Sequence, residues 1–127
     1  MIQMQTILKV MDNTGARFAR CIKVLKKGTN CKYGKIGDTI LVSVTKLRRK
    51  NRQFSKVRKG ETHLAVIVKT RKVLKRKTGY KLFFFYNCVV LLGKDRQPFA
   101  TRVFGGVIKE LRSKKLSKVI TLSSGIV

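Results

Sequence analysis

Thirty-one of the 127 residues are Lys or Arg and five are acidic (Asp12, Asp38, Glu61, Asp95 and Glu110), which leaves a formal charge of +26. No fold open to such a chain can pair its cations internally. Each cation must stay in water or meet an external anion, so core-forming segments are confined to stretches where cations thin out or alternate with apolar residues. At about one net positive charge for every five residues, self-repulsion opposes compaction unless a polyanion neutralises it. Nucleic acid is the expected partner. A membrane surface would call for a basic amphipathic helix, whereas these cations are spread along the whole chain.

The apolar stretches are short and mostly strand-like. Ile7 to Val10 is followed by Asp12-Asn13-Thr14-Gly15, whose Asx and Gly chemistry predicts a hairpin turn. In Arg17 to Leu25, Phe18, Cys21, Ile22, Val24 and Leu25 interleave with Arg17, Arg20 and Lys23, the pattern of a strand with one face inward and its cations outward. Lys26 to Gly37 reads as a loop, and Gly37-Asp38 opens a strand in which Ile40, Val42 and Val44 alternate with smaller or polar residues. Lys46 to Gly60 is so basic that it should stand clear of the core as an arm or loop. His63 to Arg71 is β-rich, Lys72 to Lys81 is a basic stretch turning at Thr78-Gly79, and Leu82 to Leu92 reads as a near-continuous apolar strand, so the two strands should form a long hairpin with a charged tip. After Gly93 comes the lone proline, Pro98, then VIKELRSKKL, where Val107 and Leu111 fall at helical spacing. Five strands with short turns in a chain of this length suggest closure into a barrel, which removes exposed edges. The expected fold is all-β: a small closed five-stranded β-barrel with a basic β-hairpin or loop extension and a short helical C-terminal region. It forms one domain, the barrel over about 1–95 and the C-terminal region over about 96–127.

Catalytic raw material is scarce, with five acids and one histidine, so no enzyme is expected. Asp12 and Asp38 sit in turns, where holding a backbone amide is the usual role. Cys21, Cys31, Cys88 and His63 lack the close spacing of a zinc site, and Cys21 and Cys88 lie in apolar strands as small buried hydrophobes; no metal and no cofactor is expected. An odd number of cysteines without close pairing, and an opening MIQMQTILKVMDN without the marks of a secretory leader, imply a reduced compartment. The run from Leu82 to Leu92 is about half the roughly 20 residues of a membrane span, so no membrane insertion is expected. Phe83 to Tyr86 could stack bases, but consecutive strand positions point to opposite faces, and half of these rings should be core.

The cations are therefore the candidate site. Phosphate contact is expected from Arg17, Arg20 and Lys23 on the outward strand face, Lys32 in the loop, Arg48, Arg49, Lys50 and Arg52 in the arm, and Lys69, Arg71, Lys72 and Arg76 toward the second basic stretch. Such contacts bind a backbone and recognise shape rather than reading bases. Two classes share this charge beside a stable RNA scaffold: a DNA-compacting nucleoid protein, and an RNA-binding factor that regulates translation.

MIQMQT, then Asp12-Asn13-Thr14-Gly15-Ala16-Arg17, Cys21-Ile22-Lys23-Val24, Gly37-Asp38, Lys59-Gly60, Ala65-Val66-Ile67-Val68-Lys69-Thr70, Thr101-Arg102-Val103-Phe104-Gly105 and Glu110-Leu111-Arg112 resemble, in order, the universal large-subunit ribosomal protein L-fourteen family. Most distinctive is Ala65 to Val68 followed at a set distance by Gly79, Phe84, Asn87, Val90 and Leu91. The resemblance implies a five-stranded barrel and contact with large-subunit rRNA. It also implies bridges to small-subunit rRNA across the subunit interface, neighbouring large-subunit ribosomal proteins as partners, and a ribosome silencing factor meeting Thr101, Arg102 and Lys118. The chain departs from the family's pattern in a longer arm over 46–59 without the bacterial proline, in Thr78 before Gly79, in Phe85 and Tyr86 where acids are common, and in a C-terminus lacking its usual acid. Lys outnumbers Arg by 20 to 11. With the Phe content, this suggests an organellar copy from an AT-rich genome, mitochondrial in the first place, with a plastid or the bacterial cytoplasm as alternatives.

Overall fold

The computed structural model describes residues 1–25, 32–49 and 55–127. Five strands close a barrel in the order β1 (Ile7–Val10), β2 (Ala16–Val24), β3 (Thr39–Leu47), β4 (Thr62–Lys69) and β7 (Cys88–Leu92). The first three junctions are antiparallel. β4 pairs antiparallel with β7, and β7 returns parallel to β1 through Lys9 opposite Cys88 and Val10 opposite Val89. That seam is short. The backbone bonds Lys9 N–H to Asn87 O at 2.9 Å and Met11 N–H to Val89 O at 3.0 Å extend it at both ends.

Side-chain periodicity tracks what lies on each face. β3 alternates, with Ile40, Val42 and Val44 fully buried inside the barrel and their neighbours half-buried outside. β7 is buried at all five positions and β4 at four in succession, because both strands are covered on two sides. Inside the barrel, Ala65, Ile67, Val89 and Leu91 join Leu8, Val10, Cys21 and Ile40. Outside it, Val66, Val68, Val90 and Leu92 pack against Val103, Val107, Ile108, Leu111 and Val119 of the C-terminal region. At about 1.5–3 kcal/mol for each fully buried aliphatic side chain, these two clusters drive collapse against the repulsion of the cations.

The C-terminal region is mixed. A strand β8 (Val103–Val107) pairs parallel with β9 (Ser123–Ile126), and between them lie a 3-10 helix (Lys109–Lys114) and a one-turn helix α1 (Ser117–Thr121). The helical expectation over Val107 to Lys115 is therefore met in part: Val107 ends a strand, and the turns that follow are split by Lys115 in the left-handed conformation. β8 carries two glycines and β9 is four residues long, so neither shows the β-branched run that marks a strand.

Three further expectations need correction. Phe83 to Asn87 is not strand; the chain bends there, and β7 starts only at Cys88. The long hairpin is thus interrupted, and its tip is a separate two-stranded ladder of β5 (Leu74–Lys75) and β6 (Lys81–Leu82) that turns at Gly79, φ +88°. In β2 a register shift between Cys21 and Lys23 turns Ile22 outward beside Lys23, and Leu25, beyond the strand's end, is exposed as well. Finally, the segment after β3 does not stand wholly clear of the core: Val57 is fully buried in the barrel cluster, and Lys56 N–H donates to Thr14 O at 2.9 Å. No helix among the described residues is long and apolar enough to cross a membrane.

Candidate nucleic-acid interface

The turn after β1 organises one end of the barrel. Asp12, fully buried, accepts the Thr14 amide at 3.1 Å and the Thr14 hydroxyl through Oδ1, and the Leu91 amide at 2.9 Å through Oδ2. Burial pushes its carboxyl above the ordinary value, against the opposing pull of these bonds and of Arg48. The next residue, Asn13, reaches the C-terminal region: its Oδ1 accepts the amides of Thr101 at 3.1 Å and Arg102 at 3.3 Å, and its Nδ2 donates to Thr101 Oγ1 at 2.7 Å. Thr101 and Arg102 are exposed. Lys118 is exposed on α1, which is tied to the same region because Leu122 N–H donates to Lys118 O and Val103 N–H to Leu122 O.

The acids are largely consumed by the fold. Asp38 Oδ2 accepts the Lys35 amide at 2.8 Å. Glu61 lies 3.1 Å from His63 Nε2 and accepts the Arg58 amide at 2.9 Å, and that amide bond is the main cause holding its carboxyl below the ordinary value. Glu110 takes Arg76 Nε at 2.6 Å and a second Arg76 nitrogen at 3.1 Å, and this guanidinium holds it below its ordinary value as well. Arg76 also donates to Val127 O at 2.7 Å, so it clamps the hairpin tip to the C-terminal region rather than facing outward alone.

Of the other candidate phosphate contacts, Arg17, Arg20, Lys23, Lys32, Arg49, Arg71 and Lys72 are exposed, while Arg48 and Lys69 are half-buried. Lys50 and Arg52 lie outside the described residues, as does Cys31. Arg17, Arg48, Arg49 and Lys69 converge with Lys9 around a cavity of about 870 Å³ walled by Phe84, Phe85, Tyr86 and Phe104. Arg20, Lys23, Lys32 and Lys72 do not line it. Arg71 joins Lys9 at an adjoining hollow of about 560 Å³ that shares Phe85 and Tyr86. No acid lines either space.

Rings and cations interleave here. Lys9 Nζ lies 4.9 Å from the centre of the Tyr86 ring, the Arg48 guanidinium 4.9 Å from that of Phe104 and Lys69 Nζ 5.1 Å from that of Phe84. Arg48 is further fixed by donating to Val10 O at 3.3 Å. The expectation that half of the Phe83–Tyr86 rings are core needs correction: Phe83, Phe85 and Tyr86 are exposed and Phe84 is half-buried, because the chain bends there instead of running on as a strand, and Lys9 and Phe104 join them unforeseen. The available signal was four consecutive aromatics ending in Asn, which no half-buried strand accommodates on one face. Cys21 and Cys88 are buried as expected, and burial raises both thiols above their ordinary value. No group of three His, Cys, Asp or Glu side chains suited to a metal ion occurs among the described residues.

The structure is thus a closed β-barrel with four of its five acids turned to structural use and five cations gathered around one cavity without an acid. A family model described as Ribosomal protein L14p/L23e matches residues 1–127, the whole chain. The chain belongs to the Ribosomal protein L14p/L23e family and is a structural protein of the large ribosomal subunit.

Proposed function

We propose that this chain binds large-subunit rRNA through the cationic face around β1, the start of β2, the end of β3 and the end of β4, and that it helps form bridges to small-subunit rRNA during translation. The carrying observation is the convergence of Lys9, Arg17, Arg48, Arg49 and Lys69 with no acid in the lining. Unpaired cations at such density release counterions when they meet phosphates, and this is the dominant source of sequence-independent affinity. The role is structural, without catalysis. Neighbouring large-subunit proteins are its protein partners, and Thr101, Arg102 and Lys118 are the surface offered to a ribosome silencing factor. The barrel over about 1–95 supplies the cations of this face, and the region over about 96–127 adds Phe104 to its wall and carries Thr101, Arg102 and Lys118. Residence in the mitochondrial ribosome is the reading favoured by the excess of Lys over Arg.

Gradient sedimentation of ribosomes washed at moderate salt tests the proposal: the chain stays with the large subunit. Loss into the soluble fraction would make it a visiting factor instead. In competition, large-subunit rRNA retains the protein against an equal mass of duplex DNA at equal salt; displacement by the DNA would mark a nucleoid protein.

A further inference from the structure

We propose that the cavity between β1 and the Phe84–Tyr86 bend receives an unpaired nucleotide of RNA, with its base against the exposed rings and its phosphates on the surrounding cations. The inference rests on the rRNA-binding reading above and adds which state of RNA the site selects.

Exposure of the rings comes first. Phe83, Phe85 and Tyr86 are 58%, 78% and 62% exposed, three rings within four residues, whereas Tyr80, 75% exposed, lines neither hollow. They do not hang from a loose loop. Asn87, directly after them, is held on both sides: its backbone oxygen accepts Lys9 N–H at 2.9 Å and its Oδ1 accepts Arg71 N–H at 2.9 Å. Phe83 meets Phe85 edge-on at 5.9 Å, and Lys9 sits over Tyr86. The rings therefore form a ridge that is already ordered, so an incoming base meets it without the chain first losing conformational freedom.

The space beside the ridge suits a nucleotide rather than a helix. Its volume of about 870 Å³ lies in the range of roughly 300–1,000 Å³ typical of small-molecule sites. An A-form duplex presents phosphates and riboses outward and keeps its base faces stacked inside, so it gains nothing from aromatic walls. An unstacked base does gain, because every base has a π-face and stacking on a protein ring needs no particular sequence. The cations lie where the flanking phosphates would run: Arg17, Arg49 and Lys69 on the cavity side and Arg71 on the far side of the ridge, with Lys9 common to both. A single strand crossing the ridge meets positive charge before and after its base.

The chain contains no tryptophan, so Tyr86→Trp installs a unique fluorophore on the ridge. An oligouridylate of about 12 nucleotides, within the footprint of single-strand binders, should quench it, whereas the same oligomer with abasic positions and an RNA duplex of equal length should bind without quenching. In a second variant, Phe85→Ala with Tyr86→Ala, affinity for oligouridylate should fall about tenfold, the size of one base–ring stack, and affinity for the duplex by less than about twofold. Both rings are exposed, so the fold should survive the change, and an unaltered melting curve checks this. Equal quenching by all three RNAs, or equal losses on oligouridylate and duplex, overturns the inference and leaves the rRNA reading standing. If the parent protein binds neither RNA, the rRNA reading itself has failed.

Discussion

Removing the Asp12 carboxylate should destabilise the barrel at its seam. β1 and β7 share two opposed residue pairs, and the Asp12 side chain adds a third link by accepting the Leu91 amide at 2.9 Å. Truncation in Asp12→Ala strands that buried N–H and the Thr14 hydroxyl together. An unsatisfied buried donor costs about 1–3 kcal/mol, so the pair should cost about 3 kcal/mol and lower Tm by roughly 10 °C. Asp12→Asn keeps the shape and the Oδ1 acceptor but turns an NH2 toward the Leu91 amide, for a loss of about 2 kcal/mol at acidic pH. The pH dependence has a definite sign. Burial raises the folded-state pKa of Asp12, so the native state holds its proton more tightly than the unfolded chain does. Its contribution is fully present below the ordinary carboxylate value and declines as pH rises through the raised one. The gap between parent and Asp12→Asn should therefore narrow as pH rises from the ordinary carboxylate value through the raised one. Urea titrations followed by circular dichroism measure both quantities. A loss below about 1 kcal/mol in Asp12→Ala, or a gap that widens with pH, would refute the reasoning.

Other changes probe separate parts of the molecule. Arg76→Ala releases Glu110 and Val127 O, so amide exchange at Val127, which donates to Val107 O, should quicken while the global melting temperature holds. Gly37→Ala should cost about 1–2 kcal/mol in thermal denaturation, because φ is +83° and a Cβ would come within 2.7 Å of Lys114 Cγ. Val57→Ala, which empties a fully buried position, should cost about 2 kcal/mol in the same assay; a neutral result would free the arm from the core. Replacing Arg17 and Arg49 with Ala should flatten the dependence of RNA affinity on salt by about one to two units of log–log slope, and an unchanged slope would mean that both remain solvated in the complex.

The barrel was legible wherever local pattern and tertiary burial agree. Ile40, Val42 and Val44 alternate because β3 has one dry face, and Ala65 to Val68 and Cys88 to Leu92 run continuously apolar because β4 and β7 have two. What escaped depends on partners distant in sequence. Ile22 looks like core until the bulge beside it is known, and Arg76 looks like a phosphate ligand until Glu110, 34 residues on, is brought against it. β8 and β9 hold each other through a parallel pairing that leaves no periodic trace. Among the candidate contacts the cationic residue types were readable at once. Their grouping was not, since Arg17, Arg48 and Lys69 stand on different strands or strand ends, and only the barrel's register makes them neighbours.

Closure of the five strands also limits how the molecule can be approached. Each barrel strand already has two backbone neighbours, so no newcomer can dock by adding a strand there, whether a second copy or an extended peptide. Recognition at the barrel wall is left to side chains alone, and where β1, the start of β2 and the ends of β3 and β4 meet, these include Lys9, Arg17, Arg48, Arg49 and Lys69. Two such barrels keep each other at a distance, while a folded polyanion can settle around one like a casting around a plug. The same ring that finishes the fold thus leaves no free strand edge in the barrel, and its outer contacts fall to side chains.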